Sequence, residues 1–223
     1  MISGHSSEPV KGDRRPIKTR SQAWPKKLAV FFVNLGVTPN QMSVAGVLCA
    51  GCGAGALLGT TWIDGTLRSL LFVLAAVLVQ LRLLSNMLDG LMAVECGKMT
   101  KTGILYNECP DRIADLFFLA GAGYACLATW GTALGWVAAV LAILTAYLRL
   151  LGGSCGLKQD FCGPFAKPQR MFGLTVSSLG TALEVYLNQT TWVLEAGLGI
   201  IIVGTFWTCI RRLNRIAKQL QER

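Results

Sequence analysis

Six apolar stretches, each close to or longer than the ~20 residues that cross a ~30 Å hydrocarbon layer, run through this 223-residue chain. Few folds accommodate such runs. A soluble helical bundle of this size carries polar stripes at a period of 3.6 residues, and the fourth and sixth runs lack them. With 52% hydrophobic and 15% charged residues, the composition favours a bilayer over water as the solvent of most helices. The expected fold class is therefore all-α: an integral membrane protein with six transmembrane helices at about 41–61, 69–94, 112–130, 133–151, 171–187 and 192–210. The fifth run is the shortest.

Six crossings return both ends of the chain to one side, together with the loops around 95–111 and 152–170. All Lys and Arg except Arg68 and Arg82 fall on that side, which the positive-inside rule assigns to the cytoplasm. The net charge of +9 then reads as topology and attraction to anionic headgroups. No motif of a nucleic-acid-binding module accompanies it.

The polar, basic residues 1–20 read as a disordered arm without the apolar core of a cleavable signal peptide. Residues 21–36 place Trp24, Leu28, Phe31, Phe32 and Leu35 near one helical face, which suits an amphipathic helix lying in the membrane interface. Residues 37–223 form the six-helix membrane domain. Thr38-Pro39-Asn40 separates the two, and Ser43 opens the first span.

Eight cysteines raise the question of a metal or disulfide framework. Cys49-x-x-Cys52 lies inside an apolar run, and the single histidine, His5, is in the arm, so no closed zinc set is available. Cys96, Cys109, Cys155 and Cys162 map to the reducing side, where disulfides are disfavoured. The cysteines are expected to be small apolar fillers.

The polar residues of 86–115 are less easily dismissed. Asn86, Asp89, Gly90 and Ala93 fall at i, i+3, i+4 and i+7 of the second span, and Asn107, Asp111 and Asp115 recur every four residues ahead of and into the third. If the two helices form a hairpin around 95–106, their faces meet. Carboxylate and amide oxygens gathered there suit Mg²⁺ or Mn²⁺, which could neutralise a diphosphate. The same residues could instead tie two helices together as a buried polar network.

This stretch resembles the signature of the CDP-alcohol phosphotransferase family, D-x2-D-G-x2-A-R-x8-G-x3-D-x3-D. Asp89-Gly90-x2-Ala93 and Gly103-x3-Asn107-x3-Asp111 reproduce its spacing without a gap. Thr38-Pro39-Asn40-x2-Ser43, the basic interfacial helix and the six runs are similar to the family as well, so the likeness covers nearly all of the chain after the arm. The resemblance implies transfer of a phosphatidyl group from CDP-diacylglycerol to an alcohol, with release of CMP, at a site where four aspartates hold two divalent metals. Carried over by position, Asn86 and Asp89 stand at the first and second aspartates, Asn107 and Asp111 at the third and fourth. Asp111 is then the catalytic base, Asp89 a metal ligand, and Asp89, Gly90, Ala93 and Gly103 line the nucleotide.

The departures are Asn86, Asn107 and Val94, the last in place of an arginine. The four aspartate positions supply −2 here against −4 in the pattern, and metal affinity depends on ligand charge count. Asp115, or Glu108, is the nearest group to restore charge, giving one tightly held ion or two. Lys167, Arg170 and Arg149 are the expected acceptor-binding residues, with Lys158 further off; they fit the phosphate of a phosphorylated alcohol.

The expected function is thus a phosphatidyl transferase of phospholipid biosynthesis in a bacterial inner membrane. Its site faces the cytoplasm, its cofactor is Mg²⁺ or Mn²⁺ (one or two ions), and its partners are CDP-diacylglycerol, a small alcohol and the bilayer. Gly51, Gly53, Gly121 and Gly123 permit close helix contacts, as at a homodimer seam. Arg82 is expected to snorkel towards headgroups or to pair with a lipid phosphate. The alternative is a catalytically impaired relative that binds nucleotide or lipid as a partner protein. A transporter would carry its polar groups near the midplane rather than at one end of two spans.

Overall fold

The computed structural model describes residues 22–100 and 102–222, and the N-terminal arm with His5 lies outside them. Among the described residues there are seven helices and no strand: α1 (Ala23–Asn34), α2 (Pro39–Gly59), α3 (Gly65–Val94), α4 (Gly103–Ala125), α5 (Gly131–Ser154), α6 (Lys167–Asn188) and α7 (Trp192–Gln221). The expectation of an all-helical chain holds. Four of the helices, α2, α3, α5 and α7, are long and apolar enough to cross a membrane. The polar residues of α4 and α6, among them Asp111, Asp115, Arg170, Ser178 and Thr181, are buried inside the bundle, which lowers the hydropathy of those two helices.

Local chemistry sets several helix ends. Thr38 caps α2: its hydroxyl accepts the Gln41 amide at 3.2 Å, while the Gln41 side chain accepts the Thr38 amide at 2.9 Å. Pro39 follows at the first helical position, where its missing N–H removes no bond. α6 ends at Gln189, which takes a left-handed conformation at φ 58°.

α2 packs on α3 and α4, α4 on α5, α3 on α6, and α5 and α6 on α7. Small residues bring these helices together. A Cβ on Gly123 of α4 would lie 2.7 Å from the Cα of Gly135 on α5, so both backbones need glycine there. Gly121 faces the backbone of Ala54, and Gly53 faces the ring of Phe118. Of the four glycines expected to permit close helix contacts, Gly53, Gly121 and Gly123 make them within the chain, while Gly51 has ordinary contact with the Phe117 ring at 3.9 Å.

α1 sits beside the end of α3. Leu28 and Phe32 pack against Ala29, Met42, Leu88, Leu91 and Met92, while Trp24, Phe31 and Leu35 are exposed. The apolar face expected to meet the membrane interface is therefore split between the bundle and the outside.

Candidate active site

The end of α3, the start of α4 and the start of α6 converge, and each brings charge. Asp111 stands one residue after Pro110, which lies inside α4 and cannot donate to the carbonyl one turn back. Its Oδ1 accepts from Arg82 Nη2 of α3 at 2.7 Å and from Lys167 Nζ of α6. Its Oδ2 accepts from Asn86 Nδ2 at 3.3 Å, with Arg112 Nη2 3.5 Å away. A carboxylate held by two cations and an amide is fixed in orientation.

Asp89 is buried one turn beyond Asn86. Ser43 of α2 donates to its Oδ2 at 2.6 Å, while Oδ1 is buried with no hydrogen-bond partner. A lone carboxylate oxygen in a dry place is a poor structural element but a ready ligand for a hard cation. Asp89 and Asn86 therefore fit a divalent ion by the nature of their donors. Asn107 is exposed on α4. Asp115 turns to Arg170, whose Nη2 donates to its Oδ2 at 2.8 Å; both side chains are 1% exposed. Lys167 Nζ is 3.9 Å from the other oxygen of Asp115.

Glu108 is shared by Arg149 and Arg112. The Arg149 guanidinium also lies 5.1 Å from the centre of the Phe161 ring. Beside it, Arg149, Lys158, Asp160, Arg212 and Arg215 line a pocket. Arg212 is anchored there, its Nε donating to the Cys162 carbonyl at 2.9 Å and its Nη1 to that of Thr145. Arg170 Nη1 donates to the Thr145 hydroxyl at 3.2 Å. The expected acceptor residues Lys167 and Arg170 thus come to the same end as Asp111, with Arg149 on the rim. Gly90, Ala93 and Gly103 are half-buried at that end.

One expectation is corrected. Arg82 does not snorkel to a headgroup: it is 2% exposed and paired with Asp111, because α4 brings a carboxylate within reach. Three participants were not read as part of the site, namely Arg82, Ser43 and Arg212. An arginine inside an apolar run was itself the signal for Arg82, since such a charge needs a partner. Nothing in the spacing links Arg212 to Cys162, 50 residues away. All eight cysteines are free; Cys209 is buried as a filler would be, whereas Cys52 and Cys109 are exposed.

No protein-family model matches the chain. It is 28% identical over 204 residues to the phosphatidylinositol phosphate synthase of Mycolicibacterium smegmatis, covering 86% of this chain and 82% of that protein. The inner membrane protein YnbA of Escherichia coli is also 28% identical, over 153 residues, 67% of this chain and 72% of that one. The fold is similar to that of Mycobacterium tuberculosis phosphatidylinositol phosphate synthase. With CDP-DAG bound, that structure gives a TM-score of 0.70 at 20% identity over 86% of this chain and 92% of its own. In complex with manganese and citrate it gives 0.71 at 21% identity, over 86% and 88%.

Proposed function

We propose that this chain, a member of the CDP-alcohol phosphotransferase family, is a membrane transferase that moves a phosphatidyl group from CDP-diacylglycerol to a small phosphorylated alcohol and releases CMP. The observation that carries the reading is the gathering of Asp89, Asn86 and Asp111 with Lys167 and Arg170 at one end of the bundle. Relatives named phosphatidylinositol phosphate synthases support it, and point to an inositol phosphate as the acceptor.

In this reaction the acceptor hydroxyl attacks the phosphorus that carries the diacylglycerol. The bond from that phosphorus to the oxygen of CMP breaks, CMP leaves, and the hydroxyl proton passes to Asp111. A hydroxyl is a weak nucleophile at neutral pH, so a fixed carboxylate beside it supplies the base. Lys167 shares Asp111 Oδ1 with Arg82. An acceptor phosphate draws Lys167 towards itself and leaves Oδ1 with Arg82 as its remaining donor, which opens a lone pair to take the proton. Arg170 and Arg149 add donors for the same phosphate. A bound Mg²⁺ or Mn²⁺ supplies neutralisation of the diphosphate. Asp89, through Oδ1, would hold it; Asn86 turns its NH₂ to Asp111, and Asp115 is committed to Arg170. Gly90, Ala93 and Gly103 leave room for the nucleotide.

In this reading residues 37–223 act as one membrane domain. α4 and α6, with 23 and 22 residues, are also long enough at ~1.5 Å per residue to cross, giving six spans. The basic end then faces the cytoplasm, in a bacterial inner membrane, and α1 rests at its surface.

Purified protein given CDP-diacylglycerol, Mn²⁺ and a panel of inositol phosphate, glycerol 3-phosphate and serine should release CMP with a phosphorylated acceptor. Release no greater than that of Asp111→Asn would overturn the catalytic reading. It would favour instead a nucleotide- or lipid-binding relative, a reading for which the clamping of Asp111 by two cations already speaks.

A further inference from the structure

We propose that the Arg82 guanidinium is a resident cation standing where a second divalent ion would otherwise be needed, so that the site takes one metal ion per chain. The inference rests on the metal-assisted reading of the same site. It starts from the donors left over once the protein's own contacts are made. Both oxygens of Asp111 face donors: Arg82 and Lys167 on one, Asn86 on the other with Arg112 nearby. Asn86 must turn its NH₂ towards that carboxylate, since its amide oxygen would be repelled there. Its oxygen therefore points away from Asp111 and cannot join it around a shared ion.

The reserves are spent as well. Asp115 is paired with Arg170, Glu108 with Arg149 and Arg112, and Asn107 is exposed. Among the described motif residues, Asp89 Oδ1 is the anionic oxygen with neither a hydrogen bond nor an ion pair.

Charge points the same way. Asp89, Asp111, Asp115 and Glu108 supply four formal negative charges and Arg82, Lys167, Arg170, Arg149 and Arg112 five positive ones, so the cluster carries no excess of negative charge before any metal binds. The two ionised phosphates of a CDP-linked donor are balanced by a single divalent ion. A second ion adds two positive charges to a poorly solvated cluster whose cations already match its carboxylates, which electrostatics opposes.

Arg82 is also housed for this purpose. It is 2% exposed, and a Cβ on Gly46 of α2 would lie 2.8 Å from its Nη1, so the helix opposite keeps a notch for it. Its Nη1 and Nε are buried without partners. Left open, they are donors for an anionic oxygen of the donor's diphosphate.

The test counts Mn²⁺ bound per chain by electron paramagnetic resonance in lipid nanodiscs, with and without CDP-diacylglycerol. One Mn²⁺ per wild-type chain is expected, and none or two would overturn the proposal. In a chain carrying Asn86→Asp and Asn107→Asp, a second Mn²⁺ should bind weakly while Arg82 is present. Adding Arg82→Met should then tighten it at least about tenfold and produce the spin coupling of a metal pair. Adding Arg82→Lys instead should not. Equal tightening by both, or by neither, would overturn the inference. The wild-type count stands even where a variant does not fold. One Mn²⁺ bound without CMP release would sink the transferase reading and leave this one intact.

Discussion

Carboxylates occupy both ends of the bundle, but they are satisfied differently. At the end formed by the α4–α5 and α6–α7 turns, Glu184 accepts from the Trp192 and Val193 amides at 2.9 Å each and from the Thr190 hydroxyl at 2.7 Å. Glu195 accepts from the Ala128 amide at 3.2 Å and the Thr191 hydroxyl at 3.0 Å. These are neutral donors at helix starts and turns, and the carboxylates cap and tie them. At the other end Asp111 and Asp115 face Arg82, Lys167 and Arg170. Charges that hold one another can rearrange when a charged ligand arrives, whereas amide donors at a helix start have nowhere to go. One end ties turns together with neutral donors; the other gathers the cations that, in the proposed reading, meet anionic substrates.

Substitutions at matched positions should separate the two. Asp111→Asn should lower CMP release by about a thousandfold, the scale of losing a general base, while Glu195→Gln should leave turnover within about twofold. Comparable losses from both would erase the distinction. Arg170→Met leaves buried Asp115 with Lys167 at 3.9 Å as its remaining cation, and should cost about 3 kcal/mol of stability, seen as a lower unfolding midpoint in detergent. Glu184→Gln should cost less, about 1–2 kcal/mol, with turnover retained. Gly46→Ala pushes on Arg82 without removing it and should lower turnover about tenfold, or ~1.4 kcal/mol, with little effect on the far end. Glu95→Gln breaks the exposed pair with Lys26 at 3.1 Å and should change stability by no more than ~0.5 kcal/mol.

The helices were legible because the signal that marks them is local. α3 was expected over 69–94 and spans Gly65–Val94; the first run at 41–61 became α2, Pro39–Gly59. α4 and α6 were read as spans like the rest, yet their polar residues set them apart. Leu119 and Asp115, four residues apart on α4, are both buried, and hydropathy sums over that face without knowing that Arg170 lies opposite. The four-residue spacing of Asn107, Asp111 and Asp115 was visible, but not that each would have a different fate. Asn107 is exposed, Asp111 is held by Arg82 and Lys167, and Asp115 by Arg170.

The sequence by itself determined the helical architecture, the basic end and the spacing that places Asp89 and Asp111 within one motif. These follow from hydrophobic run length, charge asymmetry and helical periodicity, each readable over a few turns. Only the tertiary structure decided which cation meets which carboxylate. Lys167 is 56 residues from Asp111, and Arg82 is 29. Such pairs depend on how α3, α4 and α6 cross, and that is set by glycine contacts and packing across the whole bundle rather than by any local run of residues.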